Sequence, residues 1–110
     1  MSIRDLVIQQ YLKETYVEAE GMLEPIAYEV IQDGKVYKIG DTYIEFESAK
    51  DDEIYNFFIS TEEDRRELGT VYKIRENMWT ARAKDIPDIE GNGNDMIQAA
   101  IVVMTAIGEI

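Results

Sequence analysis

Between Ile26 and Phe46 apolar residues return at every second position, and this period constrains the fold more than any other feature of the chain. Ile26, Tyr28 and Val30 fall on one side of an extended segment, with Ala27, Glu29 and Ile31 on the other. Asp33-Gly34 supplies a tight hairpin turn before Val36-Tyr37-Lys38-Ile39. Gly40-Asp41 is a second turn signal. After it Ile44 and Phe46 share one face, and Tyr43, Glu45 and Glu47 the other. The expectation is a three-stranded antiparallel meander with one dry face that something must cover.

Helices at the two ends are read as that cover. Ile3 to about Glu20 has Ile3, Leu6, Val7 and Tyr11 at helical spacing, Ser2 as N-cap and Gly21 as stop. Met22 and Leu23 then fold back onto the core. At the other end Asp95 with Gln98 three residues on forms a capping box for a helix from Met96 to about Ile107, apolar nearly all round. Between them, Glu53 to Ile59 suits either a strand or a helix and is read as a strand. A short helix follows, opened by Ser60 or Thr61, with Leu68 inward and Gly69 at its end. Thr70 to Ala83 reads as a hairpin turning near Glu76-Asn77, with Trp79, Ala81 and Ala83 on one side and Trp79 as a packing residue. Pro87 and Gly91-Asn92-Gly93-Asn94 mark a loop. The expected fold is a single compact α+β domain over 1–110: an antiparallel sheet of about five to six strands packed with N-terminal and C-terminal helices.

Composition narrows the chemistry. The 110 residues include no cysteine and no histidine. Disulfides, thiolate nucleophiles and cysteine zinc sites are excluded, as is the commonest proton shuttle near neutral pH. No signal core opens the sequence. Its longest apolar run, Ala99 to Met104, is far short of a membrane span. A cytoplasmic protein of a bacterium or an infected host cell, without membrane contact, is expected.

Charge is unevenly placed. Ser2 to Val17 is neutral, whereas Glu18 to Glu67 carries fifteen acids and five bases out of a net charge of −12 for the chain. Such a field repels nucleic acid and anionic lipid and attracts basic protein surfaces. The candidate partner-binding residues are therefore Glu45, Glu47, Asp51, Asp52, Glu53, Glu62, Glu63, Asp64 and Glu67. Arg65 and Arg66, inside the second cluster, weaken any mimicry of a phosphate backbone. Seven tyrosines suit a half-wet interface.

Two constellations point elsewhere and are read as structural. Asp88, Glu90, Asn92 and Gly93 match positions 1, 3, 5 and 6 of a calcium loop, but position 12 is Ala99 where a bidentate Glu belongs. Tyr43, Glu45 and Glu47 could do acid–base chemistry, yet acids alternating with apolar residues are the ordinary wet face of a sheet. No catalytic, metal or cofactor residues are assigned.

Trp79-Thr-Ala-Arg-Ala83, the acidic Gly/Asn loop, and Met96-Ile-Gln-Ala-Ala-Ile101 together resemble the end of small phage-encoded α/β sandwich proteins. The resemblance covers residues 70 to 108 and carries no functional residue across. It implies a phage or integrated-element context, where small acidic inhibitors of host enzymes belong. The leading expectation is a non-catalytic accessory protein that occludes a basic host or toxin protein, one that binds nucleic acid, by carboxylate mimicry. The alternatives are a structural protein forming homodimers through its apolar C-terminal helix, and a carboxylate-based enzyme.

Overall fold

The computed structural model describes residues 12–19, 21–32, 35–86 and 88–109. Eight strands follow one another among these residues: β1 (Leu12–Ala19), β2 (Met22–Gln32), β3 (Val36–Ile39), β4 (Thr42–Lys50), β5 (Ile54–Ser60), β6 (Arg65–Arg75), β7 (Met78–Ala83) and β8 (Glu90–Gly93). One helix, α1 (Met96–Ala106), closes the described chain. Every strand pairs antiparallel with its sequence neighbour, so the sheet order is the chain order and β1 and β8 are its two edges.

The sheet curls into a half-barrel around the helix. α1 packs on β6, β7 and β8 and also touches β1, the opposite edge, which a flat sheet of this width would not allow. Its concave face divides by residue size. Across β2 to β5 it is aromatic: Tyr28, Tyr37, Phe46 and Phe57 succeed one another with ring centroids 5.9, 5.7 and 6.2 Å apart. Across β7 and β8 it is small, built from Ala81, Ala83 and Gly91. There the helix comes closest; a Cβ on Gly91 would stand 2.8 Å from the Ala99 carbonyl oxygen. Met96, Ile97, Ala99, Ala100, Ile101, Val103 and Met104 are buried in this concavity, so the helix's apolar surface is used within the monomer.

Several expectations are corrected. The α+β domain of about five to six strands with helices at both ends gives way to an eight-stranded curled sheet with one helix among the described residues. The resemblance to phage-encoded sandwich proteins falls with it, and the context it implied loses that support. Of the helix expected over Ile3 to Glu20, residues 3–11 and 20 lie outside the described residues, and Leu12–Ala19 is a strand. Thr15 and Val17 bury one side of it while Glu14 and Tyr16 face solvent, a period of two rather than 3.6. Gly21, with φ +79°, turns a hairpin rather than ending a helix. Met22 and Leu23 are 69% and 71% exposed at its tip, not folded onto the core.

The short helix after Ser60 is also absent. Thr61 donates its N–H to the Asp64 carbonyl in a tight turn, and β6 starts at Arg65. Gly69 is a mid-strand residue opposite Phe57 and Ala83. Glu90–Gly93, read as loop, is the edge strand β8. The strand at 54–60, the inward Leu68, the Glu76–Asn77 turn and the Asp95–Gln98 cap stand as read: Asp95 Oδ1 accepts the Gln98 N–H at 2.9 Å.

Candidate functional site

Because the strands form a meander, turns alternate between two ends of the half-barrel. The β3–β4, β5–β6 and β7–β8 connections and the end of α1 share one end, and the β4–β5 and β6–β7 turns and the start of α1 share the other. Strand β5 therefore holds the two acidic clusters apart. Asp51, Asp52 and Glu53 precede it and Glu62, Glu63 and Asp64 follow it, so seven residues, about 20 Å, separate them.

Four of the nine candidate acids are engaged by cations of the chain itself. Arg65 Nε meets Glu45 Oε2 at 3.0 Å, and its Nη2 meets Glu47 Oε1 at 2.7 Å. The guanidinium lies over the Phe58 ring, 4.0 Å from its centroid. Glu45 and Phe58 are cross-strand neighbours, which is why one arginine reaches all three. The Glu45 hydrogen bond raises the Arg65 pKa above its ordinary value; partial desolvation opposes this, and Glu47 adds to the rise. Arg66 joins Asp64 at 3.4 Å and Glu109 at 2.9 Å, and Lys84 joins Glu67 at 2.9 Å.

Asp51, Asp52 and Glu53 serve the β4–β5 turn. Asp51 adopts φ +53° and its carbonyl accepts from Ser48 Oγ. Asp52 accepts a long bond, 3.5 Å, from the Tyr55 hydroxyl, and the Glu53 carbonyl accepts the Lys73 N–H at 2.8 Å. Neither these three nor Glu62 and Glu63 form a salt bridge among the described residues, but Glu62 and Glu63 also make no turn contact of this kind. Asp41, across from them, likewise forms no salt bridge among the described residues.

Glu62, Glu63 and Asp41 line a hollow of about 590 Å³ together with Lys38, Tyr43 and the two threonines Thr42 and Thr61. Tyr43 is 38% exposed, and Lys38 Nζ stands 5.7 Å from its ring centroid. Thr42 and Thr61 also wall a second hollow of about 240 Å³, whose other walls include Arg66 and Glu109. Those two residues in turn wall a third, of about 430 Å³, floored by Leu68, Ala83 and Ile107. Sharing Thr42 and Thr61, and then Arg66 and Glu109, as walls, the three hollows lie in a row, or trough, across the end of the half-barrel where α1 finishes. Asp41, Glu62, Glu63, Asp64, Glu67, Asp85 and Glu109 line it, against Lys38 and Arg66. The hollow of about 650 Å³ at the opposite end has one acid, Glu76, and one base, Arg75, among the amides of Asn77, Asn92, Asn94 and Gln98.

The calcium-like letters are used otherwise. Glu90 pairs with Arg82, Asn92 Oδ1 accepts from Thr80 Oγ1 at 2.7 Å, and Asp95 caps α1. No group of three or more acids among the described residues could hold a metal ion. Sequence reasoning found Glu62 and Glu63 but missed Asp41 as their neighbour, and missed Asp85 and Ile86 at the third hollow. Asp41 was visible only as a turn residue, and nothing local joins it to residues twenty positions on.

No family model matches the chain, and neither a curated protein nor a solved structure is similar to it. No helix among the described residues is long and apolar enough to cross a membrane.

Proposed function

We propose that this is a non-catalytic binding protein whose acidic end holds a basic protein partner and covers the surface that partner would offer to nucleic acid. One observation carries the reading: Asp41, Glu62 and Glu63 form no salt bridge among the described residues and are gathered around an exposed tyrosine in a hollow. Unpaired carboxylates at a concave surface raise association rates with cations and reject anions, and tyrosine gives the contact area without a large ordering cost. Glu45, Glu47, Asp64 and Glu67 contribute less, since Arg65, Arg66 and Lys84 already answer them. The contact is thus a patch at one end rather than a long stripe of phosphate-like charges.

The test is capture of basic proteins from a nuclease-treated lysate at low salt, followed by release with increasing salt. A basic protein held by the wild type and by an Asp52→Lys, Glu53→Lys variant, but lost with Glu62→Lys, Glu63→Lys, is the expected result. Equal retention by both variants, or release that ignores ionic strength, would remove the reading.

A further inference from the structure

The trough is polar at one end and apolar at the other, and the geometry points to an extended peptide segment of the partner as its occupant: a lysine or arginine beside Glu62 and Glu63, and a large aliphatic side chain about four residues away. This rests on the basic-partner reading and adds the form in which that partner is recognised. At the apolar end Leu68 and Ala83 are buried, and Ile86 stands 47% exposed at the rim. A hollow of about 430 Å³ has room for one leucine or methionine side chain together with backbone. Exposed isoleucine beside a buried aliphatic floor is unfinished packing that an incoming aliphatic group completes.

Charge decides what flanks that group. Asp85 forms no salt bridge among the described residues, though the Lys84 pKa is raised by the hydrogen bond to Glu67 and then by the charges of Glu67 and Asp85. Glu67 and Glu109 hold Lys84 and Arg66 beside it, so the rim favours cations over anions. Length decides the spacing. From β4 to β7 the trough crosses four neighbouring strands, about 15 Å, which an extended chain covers in about five residues. The Arg66–Glu109 pair lies midway and offers both an acceptor and a donor to a passing backbone. A helix would be too wide for the smallest hollow, of about 240 Å³, between the two ends.

The probe is a labelled peptide, acetyl-Lys-Lys-Ser-Ser-Leu-amide, compared with the same peptide ending in Ser, by fluorescence anisotropy at low ionic strength. We expect the leucine form to bind about tenfold tighter. Ile86→Ser should erase that difference without touching the serine form, and Glu62→Gln, Glu63→Gln should weaken both peptides several-fold. Ile86 is exposed, so its replacement leaves the core intact. If both peptides bind equally and respond only to the glutamates, the acidic end stands and the extended-segment inference falls. If neither binds, or if Asp52→Lys, Glu53→Lys weakens them as much, both fall. A concentration-dependent dimer blocked by Ile86→Ser would give the trough to a second copy of the chain and overturn the inference.

Discussion

The two ends of the half-barrel both carry acids, the end where α1 finishes more of them, and use them differently. At the end where α1 begins, three carboxylates act on the fold: Asp52 accepts from Tyr55, Glu76 pairs with Lys73, and Asp95 caps the helix, while Asp51 contributes its backbone to a positive-φ turn. At the end where α1 finishes, Asp41, Glu62, Glu63 and Asp85 form no salt bridge among the described residues and border a trough. Acid count alone does not separate a binding surface from a set of turns and caps. What separates them is where the carboxylates gather: at one end they are spread over turns and a helix cap, at the other they line neighbouring hollows, and that is a property of topology. The same −10 segment of sequence is distributed between both ends by one strand.

The comparison breaks most directly at Gly69. It lies where β6 shifts register against β5, between Phe57 and Ala83, on the strand that follows the turn carrying Glu62 and Glu63. A Cβ there would stand 2.1 Å from the Arg82 carbonyl oxygen and 3.0 Å from Phe57 Cε1. Backbone on one side leaves no flexible group to give way. Gly69→Ala should cost about 3 kcal/mol in urea unfolding, the largest single effect foreseen here. A loss under about 1 kcal/mol would mean that β6 can slide, and the separation of the two ends would not be fixed.

That glycine also shows where sequence reasoning stops. Alternation between Ile26 and Phe46, with Asp33-Gly34 and Gly40-Asp41 as punctuation, is enough to find strands, because strand and turn are local. The aromatic and alanine faces were legible for the same reason. Gly69 and Gly91 were read as breakers because a missing Cβ has two causes, a backbone angle or a close neighbour, and only the tertiary structure tells them apart. Leu12–Ala19 failed through its neighbours: helical spacing in Ile3 to Tyr11 was carried forward across Thr15, Tyr16 and Val17, which favour strands. For the site, each acid was visible, but the pairing of Arg65 with Glu45 and Glu47, eighteen and twenty positions away, was not.

Two milder substitutions sharpen the comparison at the structural end. Asp95→Ala removes the acceptor for the Gln98 N–H and should cost about 1 kcal/mol in unfolding experiments. The same change at Glu63, in the other end's turn, should leave stability within about 0.5 kcal/mol. Asp51→Gly should go the other way. Glycine accepts φ +53° without the Cβ penalty, so a gain of several tenths of a kcal/mol is expected, with no change in peptide binding. If Glu63→Ala were the more destabilising, the acids of the trough would be structural too, and the contrast between the ends would vanish.

The smallest effect is read in pH. Tyr28 lies on the concave face near the start of α1, and burial, followed by the charge of Asp95, raises its pKa above the ordinary 10.0. A raised folded-state value means that the native protein holds the phenolic proton after the unfolded chain has lost it. Stability from this group is therefore complete below about pH 10 and is lost as pH climbs through the folded value. Tyr28→Phe should be less sensitive than the wild type to a rise from about pH 9 to 11, although some loss remains from Tyr55 and Tyr16, whose values are also raised. Asp95→Asn should shift the tyrosinate absorbance titration of Tyr28 slightly downward, because the secondary cause is removed while burial remains. An unchanged alkaline profile in Tyr28→Phe would show that this tyrosine is not covered by the helix end, and that the sheet curls less tightly around Asp95 than its geometry implies.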